Sequence, residues 1–238
     1  MSKVNKRNWV PLLLGLLFLI VLPAGADTVI VEAGRDATLI EDPDGEWANG
    51  SGPVFFAGRT SQTWNGIRRG LLFFDVAGAL PRNAIIENVS LRLFELGGNS
   101  GTSEVRLHRV LAPWGEGPSA ASGGGGAPRD VGDATWLHAE FEDQFWVHSG
   151  GQFVGRASAG REVDRNAAWT WESTPHLVQD VRLWISAPQR NFGWIVIGDE
   201  TTRQTAKKFA SRENTNPAVH PVLEISYRLR GEAPARRR

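Results

Sequence analysis

Apolar residues along this chain fall in short runs cut apart by turn residues, and most of the spacing is that of strands. In Trp194-Ile195-Val196-Ile197 apolar side chains occupy both alternating faces, the pattern of a strand buried on both sides. Residues 70–76 read as another strand, with Leu71 and Phe73 on one face and Leu72 and Phe74 on the other. Stretches 28–32, 37–41, 54–57, 90–96, 105–110, 167–171, 207–213 and 220–229 read as further strands, several alternating as half-buried strands do. Asn65-Gly66 is a tight-turn signal. One segment differs: Leu177, Val178, Val181 and Trp184 recur at helical spacing, which predicts a helix over 176–186. Ser173-Thr174-Pro175 supplies its cap and first-turn proline.

Strands of modest length with turns between them and one short helix predict an all-β fold, a jelly-roll β-sandwich of antiparallel strands. The expected domain runs over 27–230. Within it, Ser-Ala-Ala-Ser-Gly-Gly-Gly-Gly marks a Gly-rich insert, about 117–133, whose composition predicts flexibility. Residues 231–238 form a basic tail without core residues, expected to be disordered. No repeat of fixed period is present, which argues against a solenoid or propeller.

The N-terminus has its own composition. Lys3, Lys6 and Arg7 precede an apolar run over 9–22, and Ala24-Gly25-Ala26 supplies small residues for cleavage, so 1–26 reads as a secretory signal peptide. This predicts a secreted, extracellular protein, with the periplasm as the alternative, and no membrane span after cleavage. Of 26 basic residues, removal of those three leaves 23 against 26 acidic ones, a net charge of −3, which argues against nucleic acid as a partner. Cysteine is absent, so disulfides and thiolate metal sites are excluded.

Several motifs occur in a particular order: Asp36-Ala37-Thr38-Leu39, Arg68-Arg69-Gly70-Leu71-Leu72-Phe73-Phe74-Asp75, Leu107-His108-Arg109 and Trp114-Gly115-Glu116-Gly117. Ala134-Thr135-Trp136, Phe145-Trp146, Asn191-Phe192-Gly193-Trp194, Gly198-Asp199-Glu200 and Lys208-Phe209-Ala210-Ser211-Arg212-Glu213 follow. Together they resemble the DNRLRE domain, a bacterial exported β-sandwich related to carbohydrate-binding modules that include alginate binders. The resemblance spans nearly the whole expected mature chain. It implies a jelly-roll sandwich with a binding or surface role, and it implies no reaction.

Candidate chemistry begins with tryptophan, ten in the chain. Indole faces stack on sugar rings, but Trp is also a core filler. Trp169, Trp171, Trp184 and Trp194 lie in strand or helix patterns and are expected to pack. Trp64, in the polar segment Ser61-Gln62-Thr63-Trp64-Asn65-Gly66, and Trp47, in similar surroundings, are the ligand candidates. Arg59, Arg68 and Arg69 flank Trp64 and could pair a uronate carboxylate. Lys207, Lys208 and Arg212 would add a basic groove, or else guard a strand edge. Asp36, Asp42, Asp44 and Glu46 are the candidate ligands of a structural calcium, the one cofactor considered, against the simpler reading of a solvated acidic turn.

No His-Glu-x-x-His, Gly-x-Ser-x-Gly or phosphate-loop pattern is present. Glu116, beside Trp114, is the first acid a hydrolase reading would test. The sequence therefore predicts a non-catalytic module binding polysaccharide, and the resemblance implies an acidic, alginate-like one. The alternative is a structural or adhesive surface component with a protein partner.

Overall fold

The computed structural model describes residues 26–98 and 101–230. The expected leader, apart from Ala26, and the basic tail lie outside the described residues. In chain order the elements are β1 (Asp27–Glu32), β2 (Arg35–Ile40), β3 (Trp47–Ala48), β4 (Val54–Arg59), β5 (Ile67–Phe73) and a single helical turn, α1 (Val76–Ala79). Next come β6 (Ala84–Glu95), β7 (Ser103–Arg109), β8 (Ala127–Pro128), β9 (His138–Glu140), β10 (Gln144–Phe145), β11 (Ala159–Val163) and β12 (Ala167–Trp171). Helix α2 (Pro175–Ser186) and strands β13 (Trp194–Ile197), β14 (Lys207–Ala210) and β15 (Val222–Leu229) complete the chain.

The strands pair in the order β1-β15-β6-β14-β4-β5-β13-β7-β11, with β12 added to β6 and β2 to β5, and the pairings are antiparallel. Strand β4 belongs to two layers. Its first part pairs with β14, and its last residues, Gly58 and Arg59, pair with β5. Gly58 makes the crossing with φ +118°, and a Cβ there would lie 2.9 Å from the Thr205 carbonyl oxygen. The result is an antiparallel all-β sandwich: β1, β15, β6, β12 and β14 form one sheet, and β2, β5, β13, β7 and β11 the other.

The two-sided pattern of 194–197 has a direct structural counterpart. Trp194 and Val196 face the large core between the sheets, with Leu72, Phe74, Leu107 and Phe209. Ile195 faces outward, yet it is fully buried with Leu39, Leu71, Val110, Trp114 and Trp146. A second core on the outer face of a sheet requires a third layer. The excursion over 111–153, which includes β8, β9 and β10, provides it. Trp171, Trp184 and Trp194 are buried as expected, and Trp169 is half-buried beneath the Arg161 guanidinium.

Helix α2 closes the sandwich. Thr174 accepts the Leu177 N–H at 3.0 Å and Pro175 opens the first turn, as the sequence predicts. Its buried stripe places Trp184 against Trp194, ring centroids 4.4 Å apart. Asp180 fixes the helix to the second sheet. It pairs with Arg109 at 2.8 Å, and accepts from Trp194 Nε1 at 2.9 Å and Ser158 Oγ at 2.5 Å. Arg109 is therefore a structural partner of the helix.

Three further expectations change. The strand over 70–76 begins at Ile67 and ends at Phe73. Asp75 then caps α1 by accepting the Gly78 N–H, so the described residues hold two α-helices rather than one. The strand read over 90–96 begins earlier, at Ala84, and runs to Glu95 as β6. The Gly-rich insert is tied down rather than loose. Ser119 bonds buried Asp133, Ala121 N–H donates to Asn49, and β8 pairs with β3. Among the described residues no helix is long and apolar enough to cross a membrane.

Because removing one partner strands a buried charge, Asp180→Ala is expected to lower unfolding stability by about 3–5 kcal/mol. Urea denaturation followed by Trp fluorescence measures it.

Candidate functional site

The two tryptophans singled out as ligand candidates open onto one hollow. Trp64 sits in the connection between β4 and β5, closed where Thr60 N–H donates to the Gly66 carbonyl at 2.8 Å. Asn65 takes φ 53° there, consistent with the Asn-Gly turn signal. The Trp64 side chain is 82% exposed. Trp47 reaches the same hollow from β3, which is held by pairing with Ala127 and Pro128, and it is 42% exposed. The hollow measures about 320 Å³ and is completed by Ile40, Glu41, Asp42, Gln62, Arg68 and Gly125.

Its polar lining includes two carboxylates. Glu41 accepts the Ile67 N–H at 2.8 Å, and Asp42 accepts the Glu46 N–H at 2.6 Å. Each carboxylate keeps further acceptor capacity for a hydroxyl donor. Two large indole faces beside fixed acceptors suit a ligand with a flat C–H face and hydroxyl groups at its rim.

Arg68, expected to pair a ligand carboxylate, is 2% exposed and donates four internal hydrogen bonds instead. Its Nε donates to the Gly124 carbonyl at 2.5 Å, Nη1 to the Asn65 and Ile67 carbonyls at 2.7 and 2.8 Å, and Nη2 to Gln62 Oε1 at 3.1 Å. Burial pushes its pKa down to about 10, with Glu41 opposing the shift. The side chain builds the hollow from below by joining the Trp64 loop to the glycine flap.

The other expected cations divide. Arg69 forms a two-pronged pair with Glu200 at 2.7 and 2.9 Å, donates to the Gly150 carbonyl, and stacks on Trp136. Arg59 donates to the Glu200 carbonyl at 3.2 Å. Lys207 is buried with its ammonium on the Gly101 carbonyl. Arg212 is committed to Glu116 at 2.9 and 2.8 Å and to Glu213 at 2.8 Å. A basic groove of these residues therefore does not form, because strand alternation sends neighbours to opposite faces and local acids claim the rest. Lys208 is the exception. It is half-buried in a second hollow of about 430 Å³ and makes no ion pair among the described residues. That hollow, with Phe56, Thr60, Ser61 and Gln204, adjoins the first across Ser61-Gln62 and Gly124-Gly125.

The four carboxylates considered for calcium do not gather. Asp36 is buried at the start of β2, accepting the Arg212 N–H at 2.8 Å. Asp42, Asp44 and Glu46 surround the turn beyond the end of β2. There Arg129 supplies the positive charge, donating to the Asp44 and Gly45 carbonyls and pairing with Glu46 at 2.7 Å. Among the described residues no group of three or more His, Asp or Glu side chains could hold a metal ion.

Glu116 has a structural role. It accepts the Asp36 N–H at 2.9 Å and both prongs of Arg212. Burial raises Asp36 well above its ordinary 3.8, and burial also raises Glu213. Sequence reasoning missed Glu41, Gly124, Gly125 and the structural part played by Arg129. The β3–β8 pair that brings these segments together spans two residues on each side, too short for periodicity to reveal.

No protein-family model matches this chain, and no curated protein matches it. The likeness to the exported β-sandwich family rests on the ordered motifs alone.

Two outcomes follow from this geometry. Arg68→Met leaves three carbonyls and the Gln62 amide oxygen without their donor, so a loss of at least about 2 kcal/mol is expected. Amide exchange should accelerate first over 60–67 and 123–126. Asp36 binds a proton more readily folded than unfolded. Its contribution is therefore complete below pH 3.8 and is lost as pH rises through its raised folded value. Asp36→Asn should gain melting temperature over the wild type progressively as pH climbs from acid to neutral. A pH-independent difference would contradict this.

Proposed function

We propose that the Trp47–Trp64 hollow binds carbohydrate and that the protein is a non-catalytic polysaccharide-binding module. The observation that carries this reading is the convergence of two exposed indoles on one hollow beside fixed carboxylate acceptors. Large exposed aromatic side chains lose burial energy, about 1.5–3 kcal/mol for a full-sized apolar side chain, so their display calls for a ligand. The stacking platform takes the sugar face, and Glu41 and Asp42 accept from its hydroxyls. With Arg68 internal, an acidic substituent on the polysaccharide would be read next door, at Lys208. The chain is exported in this reading, directed by the apolar leader over 1–26.

A second reading, a surface or matrix component with a protein partner, draws on Leu111, Phe145 and Val147, which are 40%, 66% and 69% exposed. Saturable capture of one envelope protein, lost in Phe145→Ser and with no glycan retained, would favour it.

A glycan array followed by calorimetry tests the main proposal. Trp64→Ala should weaken polysaccharide binding at least about tenfold, as loss of an aromatic anchor does, while stability stays within about 0.5 kcal/mol. Affinity unchanged from the wild type in both Trp47→Ala and Trp64→Ala would remove the hollow from the site.

A further inference from the structure

The loop layer leaves part of the second sheet's outer face uncovered, towards β7 and β11. A hollow of about 580 Å³ lies there. Glu104, Arg106 and His108 enter it from the outward face of β7, Glu162 from β11, and Asp199 and Glu200 from the segment after β13. It is separate from the tryptophan hollow and shares no lining residue with it.

Its cations are already committed. Arg106 pairs with Glu104, and Arg69 holds Glu200. Neither Glu162 nor Asp199 has an ion-pair partner among the described residues. Lys207, with its ammonium on the Gly101 carbonyl, acts on Glu162 only through space. Asp199 accepts from Thr201 and Thr202, and those bonds hold its pKa down at about 2. Glu162 also stands directly opposite Glu104 in the β7–β11 register, a like-charge pair that costs stability.

His108 supplies an independent observation. The residue is only 8% exposed, and its Nδ1 lies 2.9 Å from the Val154 carbonyl oxygen. A carbonyl only accepts, so the proton is on Nδ1 and Nε2 carries a lone pair. Nε2 has no partner among the described residues, and it is not among the enclosed unpaired atoms. It therefore opens on the hollow that the ring lines. Burial lowers the imidazole pKa below 6.5, so the ring is neutral at pH 7. The groups that face the hollow unmatched among the described residues are acceptors: His108 Nε2, which has no donor, and the carboxylates of Glu162 and Asp199, which lack an ion pair.

We propose that this hollow is a second binding site, specific for an aliphatic polyamine. Among the described residues no aromatic ring other than the imidazole lines it, which disfavours a stacked sugar. Ile197 and Gly198 offer a floor for a methylene chain. Glu162 and Asp199 stand on either side of β7, about two strand spacings or 10 Å apart. That separation calls for at least two ammonium groups on one flexible ligand, each N–H donating to a carboxylate or to His108 Nε2.

Calorimetry and proton NMR with spermidine test the proposal on the wild-type protein. Saturable binding is expected, with the His108 ring resonances shifting in step. Glu162→Gln with Asp199→Asn should weaken it at least about tenfold. Glu162→Gln alone, at an exposed position, should weaken it too and guards against a folding defect in the double variant. Trp64→Ala should leave spermidine affinity unchanged, which separates this site from the carbohydrate reading. No saturation by about 10 mM, beyond which even millimolar affinity would have shown, overturns the proposal. So does unchanged affinity in both carboxylate variants, or binding of a lysine-rich peptide with spermidine inert.

Discussion

A strand with apolar side chains on both faces must be covered twice, and β13 imposes that requirement on the whole molecule. Trp194 and Val196 fill the space between the sheets, and Ile195 points the other way into a second apolar cluster. Gly193, immediately before it, takes φ +75°, and a Cβ there would lie 1.8 Å from the Leu72 carbonyl oxygen, so the strand enters through a gap open only to glycine. The excursion over 111–153 exists, in physical terms, to keep water off Ile195, Leu71 and Leu39. Exposed, each would forfeit about 1.5–3 kcal/mol.

That covering layer determines where binding surfaces can form. Where its edge meets β3 and the β4–β5 connection, the tryptophan hollow opens. Where it ends, towards β7 and β11, the sheet presents an acidic groove. The first of these depends on a desolvated cation. Arg68 lies beneath the hollow without an ion-pair partner among the described residues and donates to carbonyl and amide oxygens from the Trp64 loop and the glycine flap. A buried charge is tolerated only when its donors are met. This requirement orders two segments whose composition favours disorder.

The motifs that suggested a family resemblance turn out to be joints. Trp114 donates its indole N–H to the Phe192 carbonyl at 2.9 Å, linking two of them. Asp36, Glu116 and Arg212, each from a different motif, meet in one partly buried network. Arg69 and Glu200 join two more. Such residues stand out in a sequence because polar groups at layer junctions must find partners, whatever the molecule binds.

The longer strands of the core, helix α2 and the packing tryptophans were legible in the sequence because burial imprints a period of two or of 3.6 on the residues that carry it; β11, α1 and the short strands β3, β8, β9 and β10 carry too few apolar positions to show one. Trp64 stood out as a ligand candidate for the opposite reason, a large aromatic residue without apolar neighbours. The fates of the charged residues were not legible. Lys207 and Lys208 are adjacent, yet one is sealed in the protein and the other open on a hollow, because strand register alone decides the face. Arg68 and Arg69 likewise part ways, one under the glycine flap and the other onto Glu200. Composition predicted a loose insert, and long-range bonds from Asn49, Arg68 and Asp133 made it a wall. Periodicity is a local property that sequence records. The partner of a charged or glycine-rich segment is set by which distant segments pack beside it, and only the folded chain supplies them.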